Sequence, residues 1–526
     1  MLAGLLVLTG CEQYPHTRAA FAGATVNGQP LRLMLDTGSP ITFLTDDAAR
    51  RFGLSFPPLS NRLAGDGNRP MALTGPVRFG VGPDILTVPL LIRSGEEWEG
   101  MVGWPDIRKN ILVFDADRRT IRRVTELPPE TAGWLKLTLH RGPYLALDTT
   151  GPDGRLATLL IDTGAPQGIA VPPGEWKTWR GTHSGVATTS EQYDAPGVGN
   201  VMFEEAWAAE YQLGGLTLTD VPVRRAVPFE VELFNHYAGT LGMYALMRLE
   251  LVIDGFHGVA YLRPRPPPGP PYPGIRRPDA GAAPAASPGQ NGNWSVAADV
   301  RLDPGHLHLT AGNYKVRGGD FAGAIADFTQ AIELDPENAD AYASRGAARA
   351  YSGADPTADW DRALRLDPES FITRFNRAIY RMSQRNYAGA LADLDRALAT
   401  PPDGAAYVRL RLFRQLLLLR LGRLPAGSDP PATTRTPVWL SVLDRFAVGN
   451  LTETDFLAAA AKGAPEVVEQ QQGEALYFVG MVRRLKGDDA GARTFWERCL
   501  ARGHAADAPA RVARDELARL DAADAQ

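Results

Sequence analysis

Apolar and polar residues alternate in short runs through the first half of the chain, with glycine and proline breaking the runs. Leu31, Leu33 and Leu35 are separated by Arg32 and Met34, a period of two that predicts a β-strand delivering Asp36 to a turn. The device returns at 155–166, where RLATLLIDTGAP again runs an apolar strand into Asp-Thr-Gly, a small residue and a proline. The residues downstream of each copy repeat as well. After the first come a glycine-containing loop at 63–68, a strand ending Val88-Pro89-Leu90, the step Met101-Val102-Gly103 and a closing stretch at 111–124. After the second come YQLGGLTLTDVPV at 211–223, the step Thr240-Leu241-Gly242 and a closing stretch at 249–262. Four elements in one order, twice, indicate internal duplication of an all-β unit. The second copy is longer between its Asp-Thr-Gly and its Gly step, and includes the stretch 181–202, rich in Ser, Thr, Gly and Tyr.

From Pro264 the composition turns to proline, then to alanine, proline and glycine, and predicts a semi-extended spacer over 265–295. Beyond it the period becomes helical. FAGAIADFTQAIELDP (321–336), WDRALRLDP (360–368) and YAGALADLDRALATPP (387–402) place Ala331, Ala363 and Ala397 about 33 residues apart, each followed by a proline five residues on. That is the tetratricopeptide (TPR) period of a helix–turn–helix repeat, with the middle copy shortened. A fourth copy near the end puts Cys499 where the others have alanine, which reads as a small residue buried at a helix contact. Between the third and fourth copies, 407–423 is an amphipathic Leu/Arg helix that reads as array core, and 424–437 is a break.

One Asp-Thr-Gly is no more than a strand ending in a turn. Two copies with matching downstream steps resemble the lobes of retropepsin-like aspartic proteases, the fold of retroviral proteases and related bacterial proteins. The resemblance runs over roughly half the chain, from about Tyr14 to Pro264. It implies two β lobes related by a pseudo-twofold, at 14–126 and 127–264. It implies that Asp36 and Asp162 are catalytic and that Thr37 and Thr163 brace the two loops. Gly38 and Gly164 would permit the tight turns, with Ser39 and Ala165 beside them. Val102-Gly103 and Leu241-Gly242 would thread beneath the loops; Gly65, Asp66 and Gly67 are the candidate for a flap over bound peptide or else an ordinary surface turn, and 181–202 is a second flap candidate or a specificity loop. The chemistry needs two copies, because two carboxyls about 3 Å apart share one proton, one drawing a proton from water while the other donates to the scissile carbonyl. A hydroxyl at Ser39, absent at Ala165, is expected to hydrogen-bond the Asp36 carboxylate and favour its charged form.

The whole chain is therefore expected to be multidomain, all-β followed by all-α: two lobes, a linker, repeats one to three over 296–423 and helical pairs over 424–526. With 526 residues, 44% of them hydrophobic, and a net charge of −5, the composition is that of a soluble protein and argues against nucleic-acid binding. The N-terminus, with an apolar run ending Leu8-Thr9-Gly10-Cys11, resembles a bacterial lipoprotein signal over 1–13. Lipidation of Cys11 would then hold the protein to the cell envelope, facing the periplasm or exterior, with the lipid as its sole membrane attachment. The eight histidines form no metal pattern, the closest pair being His306 and His308 at a helix start, and no metal or cofactor is implied. The reading is an aspartic endopeptidase acting on peptide or protein substrates as a monomer, its repeats binding an unidentified protein. The alternatives are a catalytically silent envelope scaffold and a homodimer that pairs lobes between chains.

Overall fold

The computed structural model describes residues 20–60, 70–82, 84–94, 99–150, 156–165, 168–186, 188–195, 199–213, 215–226, 237–265, 294–297, 299–399, 438–462, 465–502 and parts of 410–421 and 513–521. Cys11, the loop holding Gly65, Asp66 and Gly67, the segment 424–437 and nearly all of the proline-rich segment lie outside the described residues. The chain forms two compact units, one ending at Tyr314 and one running from Lys315 to the C-terminus.

The first unit is β-rich. Strand Gln29–Asp36 pairs antiparallel with Ala20–Val26 and parallel with Gly100–Gly103. The latter pairs with Phe43–Thr45, which pairs with Leu86–Arg93 and through it with Met71–Val81. That last strand returns to Ala20–Val26, closing a barrel. Alternation explains its filling: Leu33, Leu35, Leu44, Ile92 and Val102 point inward and are buried in one core cluster. The later strands repeat this succession. Ala146–Thr150 pairs with Leu156–Ile161, then come Gly239–Leu241, Ile169–Val171, Leu216–Arg225 and Gly199–Leu213, each joined in the same sense. The stretch 181–202 holds a hairpin, Thr188–Ala195 against Gly199–Leu213. Hairpins Ile111–Asp115/Thr120–Val124 and Leu249–Asp254/Val259–Pro264 join edge to edge, Leu251 opposite Phe114 and Ile253 opposite Leu112.

The spacer boundary needs correction. The composition puts the end of the linker at 295 and the start of the repeats at 296, but Trp294–Val296 is a strand of the β unit, parallel to both Ala20–Val26 and Thr120–Val124. Trp294, Val300, Leu302 and Leu307 all enter its core. Asn110 fastens this returning segment, its side chain donating to the Arg301 carbonyl (2.8 Å) and accepting the Arg301 N–H (3.1 Å). A three-residue strand is too short for a period-2 signal, which is why the return is not legible in the sequence.

The second unit is helical. Phe321–Leu334, Ala339–Ser352, Thr357–Leu366, Phe371–Ser383 and Tyr387–Ala399 follow one another, and Pro465–Leu485 and Asp489–Arg502 form a later pair. Ala331, Ala363, Ala397 and Cys499 are all buried at the recurrent position. Within 410–421, Leu410, Phe413 and Leu417 are buried at helical spacing. The structure adds a second recurrence. Asp327, Asp359 and Asp393, each four residues before the alanine, are buried and paired with a cation of the preceding helix: Lys315 (2.7 Å), Arg345 (2.7 Å) and Arg377 (2.6 Å). Removing one partner of such a pair strands a buried charge.

Trp294 is 1% exposed. Trp294→Ala is expected to destabilise the β unit by about 3–5 kcal/mol, read as a lowered first transition in calorimetry. A transition unchanged in temperature would show that the return strand is dispensable.

Candidate active site

The two Asp-Thr-Gly turns meet. Each is delivered by an apolar strand whose last residues pair with an apolar-apolar-Gly step: Leu35 and Asp36 lie opposite Val102 and Gly103, and Leu160 and Ile161 lie opposite Thr240 and Leu241. The steps then hold the turns from behind. The Trp104 N–H donates to the Ser39 carbonyl (3.0 Å) and the Met243 N–H to the Ala165 carbonyl (2.8 Å). The Asp162 N–H donates to the Leu241 carbonyl (3.0 Å). The Gly103 N–H donates to Thr42 Oγ1 (3.0 Å), and the Gly242 N–H to the Gly168 carbonyl (2.8 Å). Pro105, which interrupts the first copy, sits in the opening turn of helix Trp104–Ile107, where its missing N–H has no intrahelical partner to lose.

Four reciprocal hydrogen bonds lock one turn to the other. Thr37 Oγ1 donates to the Ile161 carbonyl (2.7 Å) and accepts the Thr163 N–H (3.1 Å). Thr163 Oγ1 donates to the Leu35 carbonyl (2.7 Å) and accepts the Thr37 N–H (3.0 Å). The hydroxyls are used twice each, in a place with no water to replace them, since both threonines are fully buried. The glycines permit the approach. A Cβ on Gly38 would lie 2.6 Å from Cγ of Asp162, and one on Gly164 would lie 2.7 Å from Cγ of Asp36. No side chain other than hydrogen fits either gap.

Asp36 and Asp162 thus face each other across the join, 2% and 0% exposed. Burial first, then the Asp162 charge and the hydrogen bond between the two side chains, hold the Asp36 carboxyl well above the usual carboxylate range; the Gly38 and Gly164 N–H groups oppose this. The two turns are not equivalent. Asp162 Oδ1 accepts both the Gly164 and Ala165 N–H groups (2.9 Å each), whereas Asp36 Oδ1 accepts that of Gly38 (2.8 Å). The Ser39 N–H goes instead to the backbone carbonyl of Asp36 (3.1 Å). The expected bond from the Ser39 hydroxyl to Asp36 is corrected: Ser39 Oγ donates to the Ile41 carbonyl (3.0 Å), two residues along its own loop. The Gly164 N–H also acts on the Asp36 carboxyl, so each member of the pair is held by backbone donors from the turns.

Among the described residues no group of acidic, His or Cys side chains is placed to hold a metal ion. His306 is engaged by buried Asp106 (2.7 Å), on the helix after Gly103. No described helix is long and apolar enough to cross a membrane.

Two family models match parts of the chain. An aspartyl protease family model matches residues 22–103, spanning the first Asp-Thr-Gly and its apolar-apolar-Gly step. A TPR repeat model matches 312–353. None of the curated proteins matches the chain. Similar solved structures include the TPR domain of Arabidopsis OM64 (27% identity, 20% of this chain and 93% of that one, TM-score 0.19). They also include the Sgt2 TPR domain of Aspergillus fumigatus (20% identity, 25% and 91%, TM-score 0.21) and the type IV pilus biogenesis factor PilW (16% identity, 40% and 97%, TM-score 0.25). The chain therefore carries an aspartyl protease-like domain and TPR repeats.

The raised Asp36 carboxyl sets a stability test. A group that holds its proton better folded than unfolded contributes fully at acid pH and loses that contribution as pH rises through its raised value. Asp36→Asn removes the titration. Its melting temperature is expected to exceed that of the wild type by a margin that widens as pH rises from about 4 to about 7; a constant or shrinking margin contradicts the assignment.

Proposed function

We propose that the chain is an aspartic endopeptidase with both half-sites in one polypeptide: two retropepsin-like lobes about a pseudo-twofold, with Asp36 and Asp162 as the catalytic pair. The observation that carries this reading is the reciprocal Thr37–Thr163 lock, which sets two carboxyls against each other inside one chain. A water held between them loses a proton to charged Asp162 as it attacks the peptide carbonyl. Protonated Asp36 donates to the carbonyl oxygen, and no covalent intermediate forms. The raised Asp36 carboxyl supports this division of roles, since it marks the member that keeps the proton. The TPR repeats present stacked helices to a partner or substrate protein. Cys11 is the lipid anchor to the bacterial envelope.

Asp36→Asn and Asp162→Asn are each expected to lower kcat on a peptide pool by at least about 10³-fold, in keeping with loss of an acid or base from a unit that works as a pair. A mixture of the two variants is expected to stay inactive, because the pair forms within one chain. Cleavage that survives both substitutions ends the mechanism, and activity restored by mixing means the pair forms between chains. An inert wild type across acid and neutral pH favours a protein-binding scaffold. Cys11→Ala is expected to release the protein from membranes, and unchanged membrane association would rule out the anchor.

A further inference from the structure

The Asp36 strand has two faces. Leu33 and Leu35 point into the barrel, so Met34 lies on the face that carries Asp36, two residues and roughly 7 Å away. Register extends that face sideways: Met34 lies opposite Met101, Met101 opposite Phe43, and Phe43 opposite Leu91. Ile41 and Met71 join the same apolar cluster, separate from the barrel core. A peptidase must leave a wall like this open to the side chains flanking the bond it cuts. Here it is closed: Met34, Met101, Phe43 and Leu91 are at most 6% exposed.

Among the described residues the cluster contains one from outside the barrel, Tyr314, itself 4% exposed. Tyr314 lies on helix Pro304–Gly318, just after the returning strand. The helix is pinned at its start, close behind the Asp36 turn. The Asp303 N–H donates to the Asp106 carbonyl (2.6 Å), His306 Nδ1 meets the Asp106 carboxyl (2.7 Å), and Lys109 pairs with Asp303 (3.1 Å). From His306 to Tyr314 the helix advances about 12 Å. Met34, Met71 and Met101 share this cluster with Tyr314, and methionine packs adaptably against aromatic rings.

We propose that Tyr314 covers this wall in the resting chain as an internal competitor of the substrate side chains that flank the scissile bond. The inference rests on the peptidase reading for its substrate, but the covering of the wall is testable without catalysis. Substrate gains access when the helix withdraws its tyrosine, so the apparent affinity is reduced by the fraction of time the wall is covered.

The experiment compares full-length wild type, Tyr314→Ala and Tyr314→Phe, with melting temperatures confirming the fold. Peroxide oxidation of Met34, Met71 and Met101, followed by mass spectrometry, reports exposure of the wall. Calorimetry reports binding of a statine-type peptide with Phe side chains flanking its hydroxyl-bearing centre, and a quenched-fluorescent Phe-Phe peptide reports cleavage. Tyr314→Ala is expected to oxidise at Met34 and Met101 several-fold faster. It should bind the statine peptide at least about tenfold more tightly, and lower KM by a similar factor with kcat little changed. Tyr314→Phe, which keeps the ring, should behave as the wild type does. Methionines that stay protected in Tyr314→Ala overturn the proposal, as does exposure with no gain in peptide binding. Tighter binding with no cleavage by any variant upholds the covering of the wall and counts against hydrolysis.

Discussion

Two like charges do not come together unaided, and the β unit is organised around forcing them to. Each Asp-Thr-Gly turn offers one threonine hydroxyl that both gives and takes a hydrogen bond across the join, and one glycine whose missing Cβ is the space the opposite carboxyl occupies. Behind each turn an apolar-apolar-Gly step fixes the backbone. The cost of burying and pairing the acids is offset by the backbone donors and by keeping one proton between them. A serine at Thr37 would keep the hydroxyl, whereas a valine would keep the shape and lose both bonds at once.

Much of this is legible in the residues alone. The duplicated strand–turn–step order is a local signal of period 2, turn chemistry and repetition, and the resemblance it carries implies the roles of Asp36, Asp162, both threonines and both supporting steps. The TPR period finds Ala331, Ala363, Ala397 and Cys499 for the same reason. The features that escape are non-local. The role of Ser39 depends on whether its hydroxyl turns toward Asp36 or along its own loop, and spacing does not report a rotamer. The return strand Trp294–Val296 is too short to carry a pattern and pairs with strands far away in sequence. The ladder of buried aspartates, each four residues before its alanine, is visible as a recurrence, but its cations lie on the preceding helix at varying separations.

The return across the proline-rich segment changes how the β unit is bounded. A β unit in which Trp294–Val296 bridges Ala20–Val26 and Thr120–Val124 is not separable at the linker, because Trp294, Val300 and Leu302 are part of its core and the Asn110 side chain bonds both the N–H and the carbonyl of Arg301. The next helix brings a tyrosine to the face beside Asp36. One segment therefore does two things: its first residues finish the fold, and its last ring covers the apolar face beside Asp36.

The central claim is that Asp36 and Asp162 behave as one titrating unit. Carbon-13 NMR of the aspartate carboxyls across acid to neutral pH tests it directly. One carboxyl of the pair is expected to hold its proton well above the ordinary value of about 3.9, with each resonance responding to the other's titration and that coupling gone in Asp162→Asn. Two independent titrations near the ordinary value, unchanged by substituting the partner, would mean that the carboxyls do not share a proton and that the site is not a dyad.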